Sequence, residues 1–79
     1  MKVRVKLMAS LRGKLPPEAK GVAEVDVPAS ATVADVLTKL GVAEGQVHAV
    51  MVNDELEHNR GRALTEGDAL VVLPPVAGG

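Results

Sequence analysis

The chain has no cysteine, and no phenylalanine, tyrosine or tryptophan among its 79 residues. The missing cysteine excludes a disulfide scaffold, a thiolate zinc site and a cysteine nucleophile together. The missing aromatics remove the stacking platform on which single-stranded nucleic acid is bound. A net charge of −1 leaves no cationic surplus to neutralise phosphates, so nucleic acid is not expected as a ligand. No apolar run approaches the ~20 residues of a membrane-spanning helix, and Met1-Lys2-Val3-Arg4 lacks a signal-peptide core. No membrane association is expected, and the expected compartment is the cytoplasm.

What is present is a foldable composition, 47% hydrophobic and 24% charged, with an apolar set made of Val, Ala, Leu and a few Met. A chain of this length supports one domain and one small core. A deep internal active site has little room in it, so chemistry is expected at an edge or an end.

Lys2 to Met8 alternates apolar Val3, Val5 and Leu7 with Lys2, Arg4 and Lys6, the period of a half-buried strand. Gly13 and Pro16-Pro17 break the pattern into a long irregular loop, and Ala23 to Val27 alternates again. Val33, Val36, Leu37 and Leu40 then fall at i, i+3, i+4 and i+7, one apolar helical stripe. Thr32 is the expected N-cap, with Asp35 three residues on. An Asp35–Lys39 pair is expected on the outer side, and Gly41 is the expected stop. A third strand is expected over Val47 to Val52, turned by Asn53-Asp54 into a short fourth, Glu55 to His58. Asn59 to Ala63 reads as a loop, and the last strand runs from Ala69 to Leu73. Pro74-Pro75 ends it by removing two backbone donors.

The fold class is therefore α+β, with one main helix packed on one face of a mixed four- to five-stranded sheet. Ala49 to Val52 and Ala69 to Leu73 are apolar on both faces, whereas one helix covers only one. Part of that surplus is expected to face outward, beside Lys2, Arg4 and Lys6, as a surface for a protein partner.

Catalytic signatures are missing. Gly13-Lys14 lacks the upstream glycine of a phosphate-binding loop and is followed by Leu15 rather than Ser or Thr. His48 and His58 have no carboxylate at metal-ligand spacing, so no metal site is expected. Glu55 and Glu57 share one face of a short strand and read as a solvated edge. The chain end differs. Pro74-Pro75-Val76-Ala77-Gly78-Gly79 could extend roughly 20 Å when straight. Residues 1–73 thus read as the domain and 74–79 as a flexible tail. Without side chains at Gly78 and Gly79, the terminal carboxylate could thread a channel that larger residues would block.

Several stretches carry a resemblance: Val3 to Leu7, Ala31-Thr32-Val33-Ala34-Asp35-Val36-Leu37, Met51-Val52-Asn53-Asp54, Glu66-Gly67-Asp68 and Leu73-Pro74-Pro75-Val76-Ala77-Gly78-Gly79. Together they resemble the MoaD/ThiS family of ubiquitin-like sulfur carriers, in particular the small subunit of molybdopterin synthase. Leu7-Met8 departs from the aromatic that the family often carries there. The resemblance implies a β-grasp fold and a sulfur carrier whose reacting group is the carboxylate of Gly79, with Gly78, Ala77, Val76, Pro75 and Pro74 threading a partner's channel. A ubiquitin-activating-like adenylyltransferase would use ATP to adenylate Gly79. A sulfur donor of the cysteine desulfurase or rhodanese type would convert the adenylate to a thiocarboxylate, and the large subunit of molybdopterin synthase would receive the tail. No intrinsically bound cofactor is implied, and the chain would be a sulfur-donating co-substrate subunit. Delivery to thiamine or transfer RNA, protein modification through Gly79, and a plain interaction domain with an inert tail remain open at this point.

Overall fold

The computed structural model describes residues 1–75, so the sequence readings on Val76, Ala77, Gly78 and Gly79 lie outside the described residues. The alternation at the start of the chain forms β1 (Lys2–Leu7), with Val3, Val5 and Leu7 buried and Lys2, Arg4 and Lys6 exposed. β2 (Val22–Asp26) pairs with it antiparallel, Val3 opposite Val25. Gly21 makes the close return possible. Its φ is +80°, its carbonyl accepts the Leu7 N–H at 2.7 Å, and a Cβ there would lie 2.8 Å from the Leu7 carbonyl oxygen.

β3 (Ala49–Val52), β4 (Glu55–Glu57) and β5 (Ala69–Leu73) complete a five-stranded sheet in the order β2-β1-β5-β3-β4. β5 runs parallel to β1 and antiparallel to β3. The turn between β3 and β4 takes positive φ at both Asn53 (51°) and Asp54 (70°), which matches a tight hairpin to the twist of its strands. β3 begins two residues later than expected because the Val47 N–H closes a 3-10 turn onto Glu44. β2 is shifted one residue toward the N-terminus, although the Val27 N–H still pairs with the Met1 carbonyl.

α1 (Val33–Lys39) follows β2. Thr32 caps it reciprocally with Asp35: the Asp35 N–H donates to Thr32 Oγ1 at 3.2 Å, and the Thr32 N–H donates to Asp35 Oδ2 at 2.9 Å. At the other end Gly41, at φ +75°, donates to the Thr38 carbonyl while Val42 donates to Leu37, a Schellman closure. Val42 and Leu37 are both buried there, so the closure also carries an apolar contact. The expected Asp35–Lys39 pair does not form. Asp35 is committed to the cap, and Lys39 Nζ instead donates to the Asp26 carbonyl. That contact covers one backbone acceptor on the outer edge of β2.

The core joins Val33, Val36 and Leu37 of α1 to Val3, Val5, Leu7, Val25, Val50, Val52, Leu70 and Val72 of the sheet. Leu40 is half-buried at its margin. The segment read as an irregular loop contributes Leu11, at 3% exposure, from a 3-10 turn (Ala9–Lys14), and Leu64 closes the core from the strand approach. A helix held on one face of a mixed sheet in this order is a β-grasp fold.

Asp68, at 7% exposure, is the buried carboxylate of the described residues. It accepts from Asn53 Nδ2 (2.9 Å), the Thr65 N–H (2.9 Å) and Thr65 Oγ1 (3.0 Å), while Asn53 Oδ1 accepts from the Ala69 N–H. One carboxylate therefore ties the β3–β4 turn to the start of β5. Burial pushes the Asp68 carboxyl up, but the bonds from Thr65 and Asn53, with the Arg62 charge, outweigh it and hold the pKa below its ordinary 3.8.

Leu37→Ala removes a side chain at 3% exposure and is expected to cost about 2–5 kcal/mol in denaturant melts. A loss below about 0.5 kcal/mol would contradict the assigned core. The Asp68 bonds contribute stability above the unfolded pKa near 3.8, and that contribution is lost as pH falls through the lower folded pKa. Asp68→Asn should therefore lower stability at neutral pH and flatten its dependence on pH below about 4. Curves that stay parallel through that window would overturn this assignment.

Candidate functional site

α1 covers one face of the sheet, and the register shows what the other face presents. Paired positions share a face, so Val22, Lys6, Val71, Met51 and Leu56 form one row across all five strands. The next row toward the end of β5 holds Leu73 opposite Ala49, with Met8 beside Leu73 through its N–H bond to the Val72 carbonyl. Ala49, Met51, Val71, Leu73 and Met8 are half-buried, and Leu56 is 55% exposed. The surplus apolar character of β3 and β5 thus reaches the surface as a contiguous patch.

Leu56 inverts the usual reading of Glu-Leu-Glu. Val50 and Val52 point to the core, and their partners Glu57 and Glu55 share that side, which leaves Leu56 outward against Met51. Glu57 accepts from the Asn59 N–H (3.0 Å) and from Arg62 Nη1 (2.9 Å) at the sheet margin. Its pKa is lowered by the Asn59 bond first and Arg62 second. This carboxylate organises the 59–62 loop. Glu55 is exposed, so the two acids do not form an acid/base pair.

The basic stripe lies on the same outer side. The register sets Lys2 opposite Asp26 and Arg4 opposite Glu24, whereas Lys6 meets Val22 and Val71. Lys6 is therefore the basic residue of the stripe without an acidic cross-strand neighbour, and it borders the apolar patch. A cavity of about 310 Å³ between Lys2, Arg4, Glu24 and Glu66 lies at the end of β5 away from the tail.

The patch runs to the tail's root. β5 ends at Leu73, followed by half-buried Pro74 and exposed Pro75 in no regular structure. The His48 N–H holds the Leu73 carbonyl at 2.7 Å, fixing the last strand residue. A second cavity, about 240 Å³, opens beside this root between His48, Ala49, Leu56, Glu57, His58 and Arg60. Both histidines are exposed.

Among the described residues, no group of three or more His, Asp or Glu stands where it could hold a metal ion. No helix among these residues is long and apolar enough to cross a membrane. The first amides of α1 already donate to the carbonyls of Arg62 and Arg60 and to Thr32, so they offer no anion site. What the fold presents is an apolar outer face that runs to the end of β5, where the chain leaves the sheet. The sequence pointed to the face. Met8 and Leu56 were not singled out, because their orientation is set by register.

The ThiS family model matches residues 5–79. No curated protein matches the chain. Among solved structures, small archaeal modifier protein 1 (SAMP1) of Haloferax volcanii is 29% identical over all of both chains, with a TM-score of 0.76. A putative molybdopterin converting factor subunit 1 from Pyrococcus furiosus is 25% identical, covers 96% of this chain and 99% of its own, and has a TM-score of 0.72. A complex of subunits 1 and 2 of the molybdopterin-converting factor of Helicobacter pylori contains a chain 25% identical, with full coverage of both and a TM-score of 0.65.

Leu56→Asp replaces an outward side chain and should leave unfolding free energy within about 0.5 kcal/mol of the parent. A loss above about 1.5 kcal/mol would show that Leu56 belongs to the core and not to a docking face.

Proposed function

This chain belongs to the ThiS family, and on that premise we propose that it carries sulfur as a thiocarboxylate on Gly79 and donates it as the small subunit of a molybdopterin synthase. The observation that supports this most is the joining of two features: a family match that runs through Gly79, and an open apolar face leading to the tail's root. A carboxylate is a poor electrophile. It becomes transferable when ATP converts it to an acyl adenylate, whose AMP then leaves as sulfur attacks. The chain has no cysteine, so a cysteine desulfurase or rhodanese-type donor brings that sulfur. A ubiquitin-activating-like adenylyltransferase supplies the ATP site.

Val71, Met51, Leu73 and Leu56 form the surface on which the activating enzyme and then the large synthase subunit sit, with Lys6 orienting the approach. The relative from Helicobacter pylori is seen in complex with its subunit 2, which favours a large-subunit partner here. Gly78 provides clearance and Gly79 reaches the reacting sulfur acceptor. The cytoplasm is the compartment where ATP and these partners meet. A second reading is favoured by the likeness to small archaeal modifier protein 1. In it the same activated Gly79 is joined to lysines of target proteins. Delivery to thiamine or transfer RNA would use the same charged tail.

Deleting Gly79 draws the terminal carboxylate back by about 3.5 Å, and misplacement of 1 Å can cost about a hundredfold in rate. Thiocarboxylate formation with the cognate activating enzyme, ATP and sulfur donor should therefore stop. Adding one residue after Gly79 should stop it too, while melts of both variants stay within about 0.5 kcal/mol of the parent. Parent-like thiocarboxylate yield from the truncated chain would refute the role of Gly79.

A further inference from the structure

With no cysteine in the chain, its own sulfur atoms are those of Met1, Met8 and Met51. Met1 packs against the margin of the core, and its amino group is tied to the Val27 carbonyl. Met8 and Met51 lie elsewhere. Neither belongs to the buried core, both are half-buried on the outer face, and they flank β5 on opposite sides. Met51 stands between Val71 and Leu56 in the central row, and Met8 stands beside Leu73, the last strand residue before the tail. The two thioethers are thus built into the apolar patch at its tail end, with Val71 and Leu73 between them.

A thioether is apolar and polarisable, suited to a desolvated contact, whereas its sulfoxide is polar and strongly hydrated. We propose that the outer face is a peroxide-sensitive docking surface, on which oxidation of Met8 and Met51 releases the adenylyltransferase that activates Gly79. Each sulfur gives up two electrons and gains one oxygen as the peroxide O–O bond breaks, and hydrogen peroxide leaves as water. A methionine sulfoxide reductase restores each thioether, with two thiols becoming a disulfide and the oxygen leaving as water. The proposal rests on the docking role assigned to this face. Because both sulfurs lie outside the core, oxidation leaves the β-grasp fold in place. Lys6, Arg4 and Lys2 keep their charge, so long-range steering persists while the apolar contact fails.

The test uses the full chain with a free Gly79 carboxylate, neither adenylated nor thiolated, and the cognate adenylyltransferase, with ATP–pyrophosphate exchange as the readout. After treatment with hydrogen peroxide, peptide mapping should find Met8 and Met51 oxidised before Met1. The KM for the chain should rise about tenfold or more, as for loss of interface anchors, with the melting curve unchanged. Reductase treatment should restore the KM. A Met8→Leu/Met51→Leu variant conserves volume but has no thioether on the face, so its own KM should be the same before and after the treatment. Oxidation of both residues with an unchanged KM would overturn the switch, as would equal loss in the double variant or prior oxidation of Met1. An untreated Val71→Asp chain separates the two ideas. A raised KM there with no effect of oxidation removes the switch and leaves the docking face, and an unchanged KM removes both.

Discussion

The parallel pairing of β1 with β5 puts the last strand in the middle of the sheet, between β1 and β3, and most other features follow from that position. On the inner side it places Leu70 and Val72, at 1% and 0% exposure, under the helix with Val3, Val5, Val50 and Val52. On the outer side it places Val71 and Leu73 at the centre of an uncovered face. At its end it leaves Pro74 and Pro75 leading out of the best-held strand of the fold. A tail rooted there starts from a fixed point, since the His48 N–H clamps the Leu73 carbonyl and Asp68 pins the strand's beginning.

The division of labour between the faces is a consequence of having one helix. The inner face consists almost entirely of Val and Leu and closes without aromatics because α1, the 3-10 turn bearing Leu11 and the segment bearing Leu64 cover it. The outer face keeps Val71, Met51, Leu73 and Met8 half-buried and Leu56 exposed. At its border the register sets Lys2 opposite Asp26 and Arg4 opposite Glu24, whereas Lys6 lies between Val22 and Val71. β4 shows the same economy: its acids lie toward the core side at the sheet margin, where Glu57 secures a loop, and Leu56 is freed for the surface.

Much of this was legible in the residues. The Val3-Val5-Leu7 alternation, the stripe from Val33 to Leu40, the Thr32 cap and the positive-φ pair Asn53-Asp54 are local signals, and each formed as read. The misses share a cause, which is that tertiary geometry decided them. Leu11 carries no periodicity of its own, yet it fills the core from a loop. Lys39 had a local partner in Asp35 and took a carbonyl of β2 instead. Leu56, between two acids, was not singled out, and the pairing register turns it outward. Of the candidate site, Pro74 and Pro75 are placed at the root of the tail. The roles of Val76, Ala77, Gly78 and Gly79 rest on the sequence and on family membership.

The central claim is that the terminal carboxylate is exchanged for a thiocarboxylate, and the mass of the intact protein reports it directly. Protein purified from its native cells under non-reducing, amine-free conditions should contain a population in which one oxygen has been replaced by one sulfur. Fragmentation should place that exchange at Gly79. A single unmodified mass under every growth condition, or an oxygen-to-sulfur exchange located anywhere but Gly79, would contradict the account.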